Sequence, residues 1–391
     1  MKNLLILFFI LILLLCYGLI LTGDANAHSS QHSSISIIVY DAGETLGLLS
    51  ITPFLEVENI SVQWIPLTPW TLRLLEKENR AFVKPPKGLE IMNHLDDRQN
   101  AGEINYWLNL IIEQKPALVI LGLVSRIQEQ LACELRNRGI YTIGFYDGFD
   151  KTDRSSINWK VSRQVDEVWV PTKVIKHNLN NLGLKSVKVM GQPSLESWYR
   201  LAKEIRPDSL YKRLQISIDK KILIFAGQYG EGYKEILDAF MKVALEELKK
   251  REDLYLVLSP HPKTLGELEC AVAQKCNHPR VLTAPKEVST AELAAICKVM
   301  ITWKSTVGVQ ATFMGKPVIY FNFNLDDYRN NLIDQGIAQV ATPKTFGGVL
   351  QTFLDQHSDQ SSNRHRLTKL GYIVDSDRKI ASEILKRIRK H

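Results

Sequence analysis

Cysteine is scarce in this chain, with five residues among 391. Cys16 lies in an apolar run, and none of the others has a histidine partner at the spacing of a zinc site. Nothing therefore indicates a cysteine-based metal centre. Cys270 and Cys276 lie close in sequence and leave two alternatives open, a disulfide formed after export or small buried hydrophobic side chains like Cys133 and Cys297.

Dense blocks of positive charge are also absent, although the formal net charge is +7. The Lys and Arg residues are scattered without interleaved aromatic residues, which argues against nucleic-acid binding. The basic balance instead favours anionic ligands or an anionic membrane surface. There is no short-period repeat, and the hydrophobic content of 45% is typical of a globular protein. At this length two domains are expected.

The N-terminus predicts export or membrane attachment. An uncharged apolar run extends from Leu4 to Leu21, and Ala25-Asn26-Ala27 has the form of a signal-peptidase site. The run is almost long enough to span a bilayer, so residues 1–27 are predicted to be a cleaved signal peptide or a retained membrane anchor. No Lys or Arg follows until Arg73, which predicts a body outside the cytoplasm, in a periplasm, a lumen or at the cell surface. Attachment to the cytoplasmic face of the membrane is the alternative.

Short apolar runs alternate with amphipathic segments from residue 35 onward, which predicts an α/β protein with parallel sheets. The alternation pauses near residues 193–220 and then resumes. We therefore predict two Rossmann-like domains, at residues 28–195 and 196–372, and a basic amphipathic helix within residues 373–391. Residues 68–115 are less regular, and their KPPKG sequence predicts a loop.

Polar residues follow several predicted strands of the second half, where ligands bind in open parallel sheets. These positions are Gly227, Gln228, His261, Lys263, Lys304, Ser305, Thr306, Asn322, Asn324, Asp326 and Asp327. Ser305 and Thr306 fall where a helix should begin, and a helix N-terminus attracts phosphate through its unpaired N–H groups and its dipole. The glycine-rich turn at Gly227 does not match a Walker or dinucleotide fingerprint. Each position alone also fits a structural role, but together they predict a cleft for a phosphorylated ligand.

Carboxylates follow two predicted strands of the first half. Asp41 and Glu44 come after the first strand, and Asp147 follows the strand that ends at Tyr146. A carboxylate that faces a phosphate-binding half-cleft can act as a general base toward an acceptor hydroxyl. Helix capping by Asp41 and a turn at Asp147 are the structural alternatives.

Several segments resemble the GT-B superfamily of nucleotide-sugar enzymes, on the branch of UDP-N-acetylglucosamine 2-epimerase, lipid-A-disaccharide synthase and the CDP-glycerol glycerophosphotransferases. They are residues 166–197 (DEVWVPTKVIKHNLNNLGLKSVKVMGQPSLES), 256–263 (LVLSPHPK), 301–321 (ITWKSTVGVQATFMGKPVIYF) and 323–329 (FNLDDYR). The resemblance implies a GT-B-like fold, in which two Rossmann-like domains with parallel sheets face each other across a cleft. It also implies a last helix that packs back toward the N-terminal, acceptor-binding domain.

The same resemblance implies roles for individual residues. Lys304, Ser305 and Thr306 would contact the donor phosphates, and the nucleotide and sugar would lie against Gly227, Gln228, His261, Gln310 and Asp326. Many relatives carry glutamate where this chain has Gln310, which can hydrogen-bond but has no charge. No D-x-D motif is evident, so neither a metal nor a cofactor is expected. Lys304 and Lys316 would supply positive charge, and the donor would be a nucleotide sugar or a CDP-polyol.

The expected function is that of a metal-independent glycosyltransferase-like enzyme. It would move a sugar or polyol phosphate from a nucleotide donor to a surface-glycan or lipid acceptor, with Asp41, Glu44 or Asp147 as the base. The alternatives are a sugar-nucleotide epimerase of the same fold and a non-catalytic exported protein that binds carbohydrate or nucleotide. The expected partners are the donor, the acceptor and, through the N-terminal apolar segment, a membrane.

Overall fold

The computed structural model of the chain describes residues 34–84, 101–328, 330–355 and 360–389. Two parallel sheets of six strands each form its centre, which confirms the predicted fold class. The first sheet contains β1 (Ser34–Val39), β2 (Ser61–Pro66), β3 (Leu118–Gly122), β4 (Thr142–Phe145), β5 (Glu167–Val170) and β6 (Val187–Val189). The second contains β7 (Lys221–Ala226), β8 (Leu254–Ser259), β9 (Val281–Thr283), β10 (Val299–Thr302), β11 (Val318–Phe321) and β12 (Gln339–Ala341). Their spatial orders are β2-β1-β3-β4-β5-β6 and β12-β11-β10-β7-β8-β9.

Helices connect the strands and cover both faces of each sheet. In the first half they are α1 (Ala42–Leu49), α2 (Thr52–Val57), α3 (Pro69–Lys77), α4 (Ala101–Glu113), α5 (Arg126–Asn137), α6 (Ile157–Ser162) and α7 (Lys173–Asn181). Between the sheets lie α8 (Pro193–Glu204) and α9 (Pro207–Leu214). The remaining helices are α10 (Tyr233–Lys250), α11 (Glu267–Cys276), α12 (Thr290–Ile296), α13 (Val307–Phe313), α14 (Asn331–Asp334), α15 (Phe346–Asp355), α16 (Gln360–Lys369) and α17 (Ser376–Ile388).

The strands are apolar because both faces of each sheet are buried. Successive side chains of a strand point to opposite faces. In β1, Ile37 joins one hydrophobic cluster and Ile38 the cluster on the other side. In β7, Ile224 and Phe225 divide in the same way. This double burial is the expected pattern of a parallel sheet between two helical layers.

The last helix, α17, packs against the first sheet rather than the second. Ile380 and Ile384 are fully buried in the same cluster as Ile35 of β1. Arg387 donates to the buried carboxylate of Glu167 in β5, with 2.7 Å between Nη2 and Oε2. The chain therefore passes from the first half to the second through α8 and returns through the segment before α17.

The structure corrects one expectation about the first half and decides between the two alternatives for Cys270 and Cys276. The irregular stretch 68–115 contains the regular helices α3 and α4. Thr68 caps α3 by accepting a hydrogen bond from the backbone N–H of Thr71, and proline occupies the first turn. Cys270 and Cys276 are both free thiols. They lie on one helix, and six residues of helical rise separate them by about 9 Å, which is beyond the reach of a disulfide.

The predicted signal peptide or anchor at residues 1–27 lies outside the described residues and stays a prediction. Among the residues that the structure describes, no helix is long and apolar enough to cross a membrane.

Gly191 lies just before α8, the helix that leads from the first half to the second. It allows the backbone there to approach the start of α17 closely. Its φ is +93°, and a Cβ at this position would lie 2.4 Å from Cβ of Ser376. We expect Gly191→Ala to lower the free energy of unfolding by about 2–4 kcal/mol, because left-handed strain and overpacking add. Chemical denaturation measures this loss.

Gly139→Ala is the matched control for this prediction. Gly139 also has a positive φ, +71°, but nothing lies within 4 Å of a Cβ there. Its substitution should cost only the backbone strain, about 1–2 kcal/mol. Equal losses in the two variants would contradict the close packing at Gly191.

Candidate functional site

The carboxyl ends of the two sheets contribute the polar residues of the cleft between the domains. Asp41 follows β1 and Asp147 follows β4, whereas Tyr229 follows β7, and His261 and Lys263 follow β8. Lys263 joins the two sides, because its Nζ lies 2.6 Å from Oδ2 of Asp41 and 2.6 Å from the hydroxyl of Tyr229. The structure therefore brings together residues that are up to 222 positions apart in sequence.

Asp41 has both a structural and a polar role. It caps α1, where its side chain accepts a hydrogen bond from the backbone N–H of Ala42 and completes a capping box with Glu44. Its second carboxylate oxygen accepts from Lys263. Asp41 therefore both caps α1 and faces the cleft.

Glu44 lies deeper than its neighbours and is fully buried. Its Oε1 accepts hydrogen bonds from the backbone N–H groups of Tyr40 and Asp41 and from Nε2 of Gln128. Burial, and then the nearby charge of Asp147, raise the pKa of Glu44 well above its usual value. The side chain is therefore positioned to support the site from below rather than to contact a substrate.

Asp147 is half-buried beside these groups. Burial first, and then the negative charge of Asp41, raise its pKa to about 7, although Lys263 acts in the opposite direction. Nε2 of Gln192, which directly precedes α8, donates to the backbone carbonyl of Asp147 at 2.9 Å and fixes the turn. A carboxyl group with this pKa exchanges its proton near neutral pH, as a general base or acid requires.

The predicted nucleotide-side residues Gly227, Gln228 and His261 lie beside this cluster. A Cβ on Gly227 would come within 2.7 Å of the carbonyl oxygen of Ser259, so only glycine fits between β7 and the loop after β8. The ring of His261 lies 4.7 Å from that of Tyr229. Its Nδ1 accepts from the backbone N–H of Lys263 at 3.2 Å, which orients the imidazole.

The predicted phosphate-binding residues lie at the start of α13. Ser305 is buried, and its Oγ accepts a hydrogen bond from the backbone N–H of Val307 at 3.2 Å. Thr306 already has helical dihedral angles and makes no capping hydrogen bond with its side chain. Lys304 is exposed, with its Nζ 4.7 Å from the centroid of the Trp303 ring.

Three other predicted residues lie apart from the Lys263 contact. Nε2 of Gln310 donates to Oγ of Ser194 in α8 at 2.9 Å, so this side chain ties α13 to the interdomain helix. Asp326 is exposed in the loop after β11. Lys316, expected to supply positive charge to the cleft, instead donates to the backbone carbonyls of Ala295 and Cys297 at 2.7 and 3.3 Å. These carbonyls lie before β10, at the amino end of the sheet, so Lys316 faces away from the cleft.

Three aromatic residues that were not among the predicted site residues contribute to the contacts between the domains. Tyr229 lies inside the glycine-rich turn that follows β7, and its place between glycines was an available signal. Trp70 of α3 approaches Lys263 from the first domain, with 5.4 Å from Nζ to the ring centroid, and no local pattern indicates this. Tyr328 donates to Oδ1 of Asp150 at 3.3 Å and forms a second contact across the domains.

Within residues 34–84, 101–328, 330–355 and 360–389, no group of three or more His, Cys, Asp or Glu side chains could hold a metal ion.

The raised pKa of Asp147 gives stability a specific pH dependence. Between about pH 4 and 7 the unfolded chain ionises this carboxyl while the folded protein keeps its proton, so its contribution to stability falls as pH rises. Asp147→Asn removes this effect. We expect the variant to be more stable than the wild type at pH 8, by about 1–3 kcal/mol, and to lose that advantage near pH 4. Urea denaturation at pH 4, 6 and 8 measures the difference.

Asp153→Asn is the control of opposite sign. Hydrogen bonds from the side chain and backbone of Ser155 lower the pKa of Asp153, which is exposed. Its stabilising effect is present above the usual carboxyl range and disappears in acid, so this variant should be less stable than the wild type at pH 8. Destabilisation of Asp147→Asn at pH 8 would refute the assignment.

Comparison with known proteins gives matches in sequence and in structure. The family model described as "Capsule polysaccharide biosynthesis protein" matches residues 173–324. A processive diacylglycerol beta-glucosyltransferase from Bacillus licheniformis is 30% identical over 169 residues, which are 41% of this chain and 41% of that protein. The aligned region thus spans about two fifths of the curated relative.

Solved structures resemble this chain over most of its length. The Staphylococcus aureus MnaA–UDP co-structure has a TM-score of 0.70 and 16% identity, and the match covers 91% of this chain and 97% of that one. UDP-GlcNAc 2-epimerase from Neisseria meningitidis, bound to UDP-GlcNAc, has a TM-score of 0.69 and 14% identity, with 92% and 100% covered. A glycosyltransferase from Rickettsia africae has a TM-score of 0.59 and 15% identity, with 92% and 100% covered. Two parallel sheets in these orders and this likeness along nearly the whole chain show that the protein has the two-domain GT-B fold.

Proposed function

We propose that this protein is a metal-independent glycosyltransferase-like enzyme that transfers a sugar or polyol phosphate from a nucleotide donor to a glycan or lipid acceptor. The main support is the position of Asp147, whose pKa of about 7 suits proton transfer. It lies in the first domain, in the same cluster as the cleft-spanning contact between Asp41 and Lys263.

The donor would bind to the second domain. Ser305 and Thr306 at the start of α13, with Lys304 beside them, would hold the donor phosphates through hydroxyl groups, backbone N–H groups and positive charge. His261, Gly227 and Gln228 would lie against the nucleotide. Gln310 would contact the nucleotide or sugar while its amide stays bonded to Ser194 of α8. Asp326 would contact the nucleotide or sugar from the exposed loop after β11.

The acceptor would be deprotonated from the first domain. Among the three candidate carboxylates, Asp41 is occupied by Lys263 and Glu44 is fully buried. Asp147 would therefore take the proton of the acceptor hydroxyl, while the charge of Asp41 raises its proton affinity and the buried Glu44 lies beside it. The departing group would be stabilised by the groups around Ser305; it is a nucleoside diphosphate when a sugar is transferred and a nucleoside monophosphate when a polyol phosphate is transferred.

Transfer is favoured over epimerisation by the sequence matches, which are to a capsule polysaccharide family and a glucosyltransferase. Epimerisation is the second candidate, because UDP-GlcNAc 2-epimerases share the fold. The proposal includes a uridine nucleotide donor, since those proteins are described with UDP or UDP-GlcNAc. It also includes attachment to a membrane through the apolar run at Leu4–Leu21.

Donor binding is tested by a thermal-shift screen against UDP, CDP, GDP, their sugars, CDP-glycerol and free sugars. A ligand that binds only the folded protein raises the melting temperature by mass action. We expect a shift with one nucleoside diphosphate and a loss of most of it in the double variant Ser305→Ala, Thr306→Ala. Thr352→Ala, an exposed hydroxyl of α15 that bonds its own helix, is the control. A shift with free sugars alone would instead favour a non-catalytic binding protein.

Catalysis is tested with Asp147→Asn. We expect kcat to fall about 100-fold or more while donor affinity stays within a few-fold, because a general base contributes about that much. The wild-type kcat/KM should rise with pH and level off above about pH 7, since this constant reports the free enzyme and only the ionised carboxylate accepts a proton. Release of the nucleoside diphosphate from a sugar donor, or of the nucleoside monophosphate from a CDP-polyol, measures the rate with and without an acceptor. Asp153→Asn should behave as the wild type. Conversion of the donor sugar without any acceptor would establish the epimerase instead.

A further inference from the structure

Lys263 differs from the other cations near the cleft in its burial and in its partners. Its side chain is only 3% exposed, and its ammonium contacts Asp41 of the first domain and Tyr229 of the second. An ammonium has three donors, and these contacts use two of them. The charge is therefore held between the domains rather than within either one.

Aromatic rings fix the position of this charge. Nζ lies 4.0 Å from the centroid of the Tyr229 ring and 5.4 Å from that of Trp70. Both distances permit an attractive cation–π interaction. Burial lowers the pKa of Lys263, but the carboxylate of Asp41 and the hydroxyl of Tyr229 more than offset this and raise it overall. The side chain is therefore charged at neutral pH and directed at the cleft.

The alternative cations are engaged elsewhere or lie in solvent. Lys304 is exposed over Trp303, and Lys316 is bound to backbone carbonyls at the other end of its sheet. Arg73 reaches across from the first domain, but its Nη2 lies 3.5 Å from the backbone carbonyl of Pro262. Among these cations, the buried one that faces the carboxylates of the first domain is Lys263.

We propose that Lys263 binds a phosphate group of the donor and that Asp41 competes with that phosphate for its ammonium. Without ligand the ammonium pairs with Asp41. A nucleoside diphosphate carries more negative charge than one carboxylate, so it draws the ammonium away and leaves Asp41 free beside Asp147. The inference rests on the proposed nucleotide-donor site. It adds Lys263 to that site, together with the exchange of its partner from Asp41 to the donor phosphate.

The exchange would also couple donor binding to the base. Lys263 lowers the pKa of Asp147, whereas Asp41 raises it. When the ammonium moves toward phosphate, the unpaired carboxylate of Asp41 increases the proton affinity of Asp147. The protein would then hold its strongest base when the donor is bound.

Titration calorimetry on three variants tests the exchange. Asp41→Asn removes the competing charge and keeps the cap of α1, because asparagine is also a preferred capping residue. Lys263→Met removes the ammonium at similar length, and the double variant removes both charges of the ion pair together, so neither is left unpaired. Lys234→Met, which breaks an exposed ion pair with Asp238 (2.8 Å) on α10, is the matched control. The probes are UDP, CDP and GDP, the corresponding nucleosides, and inorganic pyrophosphate.

Opposite effects of the two partners would support the exchange. Asp41→Asn should tighten binding of the nucleoside diphosphate and of pyrophosphate about fivefold or more, because a competitor is removed. Lys263→Met and the double variant should weaken it about tenfold or more, the usual effect of losing a charged hydrogen bond. Binding of the nucleoside without phosphate should stay the same in all variants.

The contrary results separate this inference from the proposed function. If the wild type binds a nucleoside diphosphate but Asp41→Asn leaves its affinity unchanged or weaker, the exchange is wrong and the donor site stands. The same holds if Lys263→Met weakens the nucleoside and the diphosphate equally. If the wild type binds neither pyrophosphate nor any nucleoside diphosphate, the donor site fails and the exchange fails with it.

Discussion

Burial of both faces of both sheets is the constraint on which the site depends. A strand between two helical layers has little room for polar side chains, because a buried polar group without a partner costs free energy. The polar residues accordingly gather after the strands, at Asp41, Asp147, Tyr229 and Lys263. The fold thus concentrates charge at one edge of each sheet, and the packing of the domains brings the two edges together.

Local sequence pattern predicts the strands and the polar residues that follow them, but not the contacts between the domains. Apolar runs gave the strands, and the polar residues after them gave the side of the sheet on which a ligand would bind. The irregular stretch after β2 concealed α3, although Thr68 and the proline after it were a start signal. Local pattern could not give the partner of Lys263, because the pairing depends on how two separately folded units meet. The burial of Glu44 and the orientation of Lys316 away from the cleft depend on tertiary packing in the same way.

The charged groups of the cleft lie close together and change one another's pKa values. Asp41, Glu44 and Asp147 are three carboxyl groups close together, and Lys263 is the buried cation that faces them. The charge of Asp41 raises the pKa of both Asp147 and Glu44, and Lys263 lowers the pKa of Asp147. Gln128 and the backbone at Tyr40 hold Glu44 in place below the group. A change in the position of Lys263 therefore affects both its ion pair with Asp41 and the proton affinity of Asp147.

The return of α17 to the first sheet has a consequence for how the molecule is made. Ile380 and Ile384 complete the hydrophobic cluster around β1, yet the ribosome synthesises them after the whole second domain. Domains usually fold as units during synthesis, N-terminal first. Here one face of the first sheet stays only partly covered, by residues such as Leu48 and Leu55, until α17 emerges, while the second domain can close around its own core beforehand. The second domain, although it is synthesised later, can therefore complete its hydrophobic core before the first domain does.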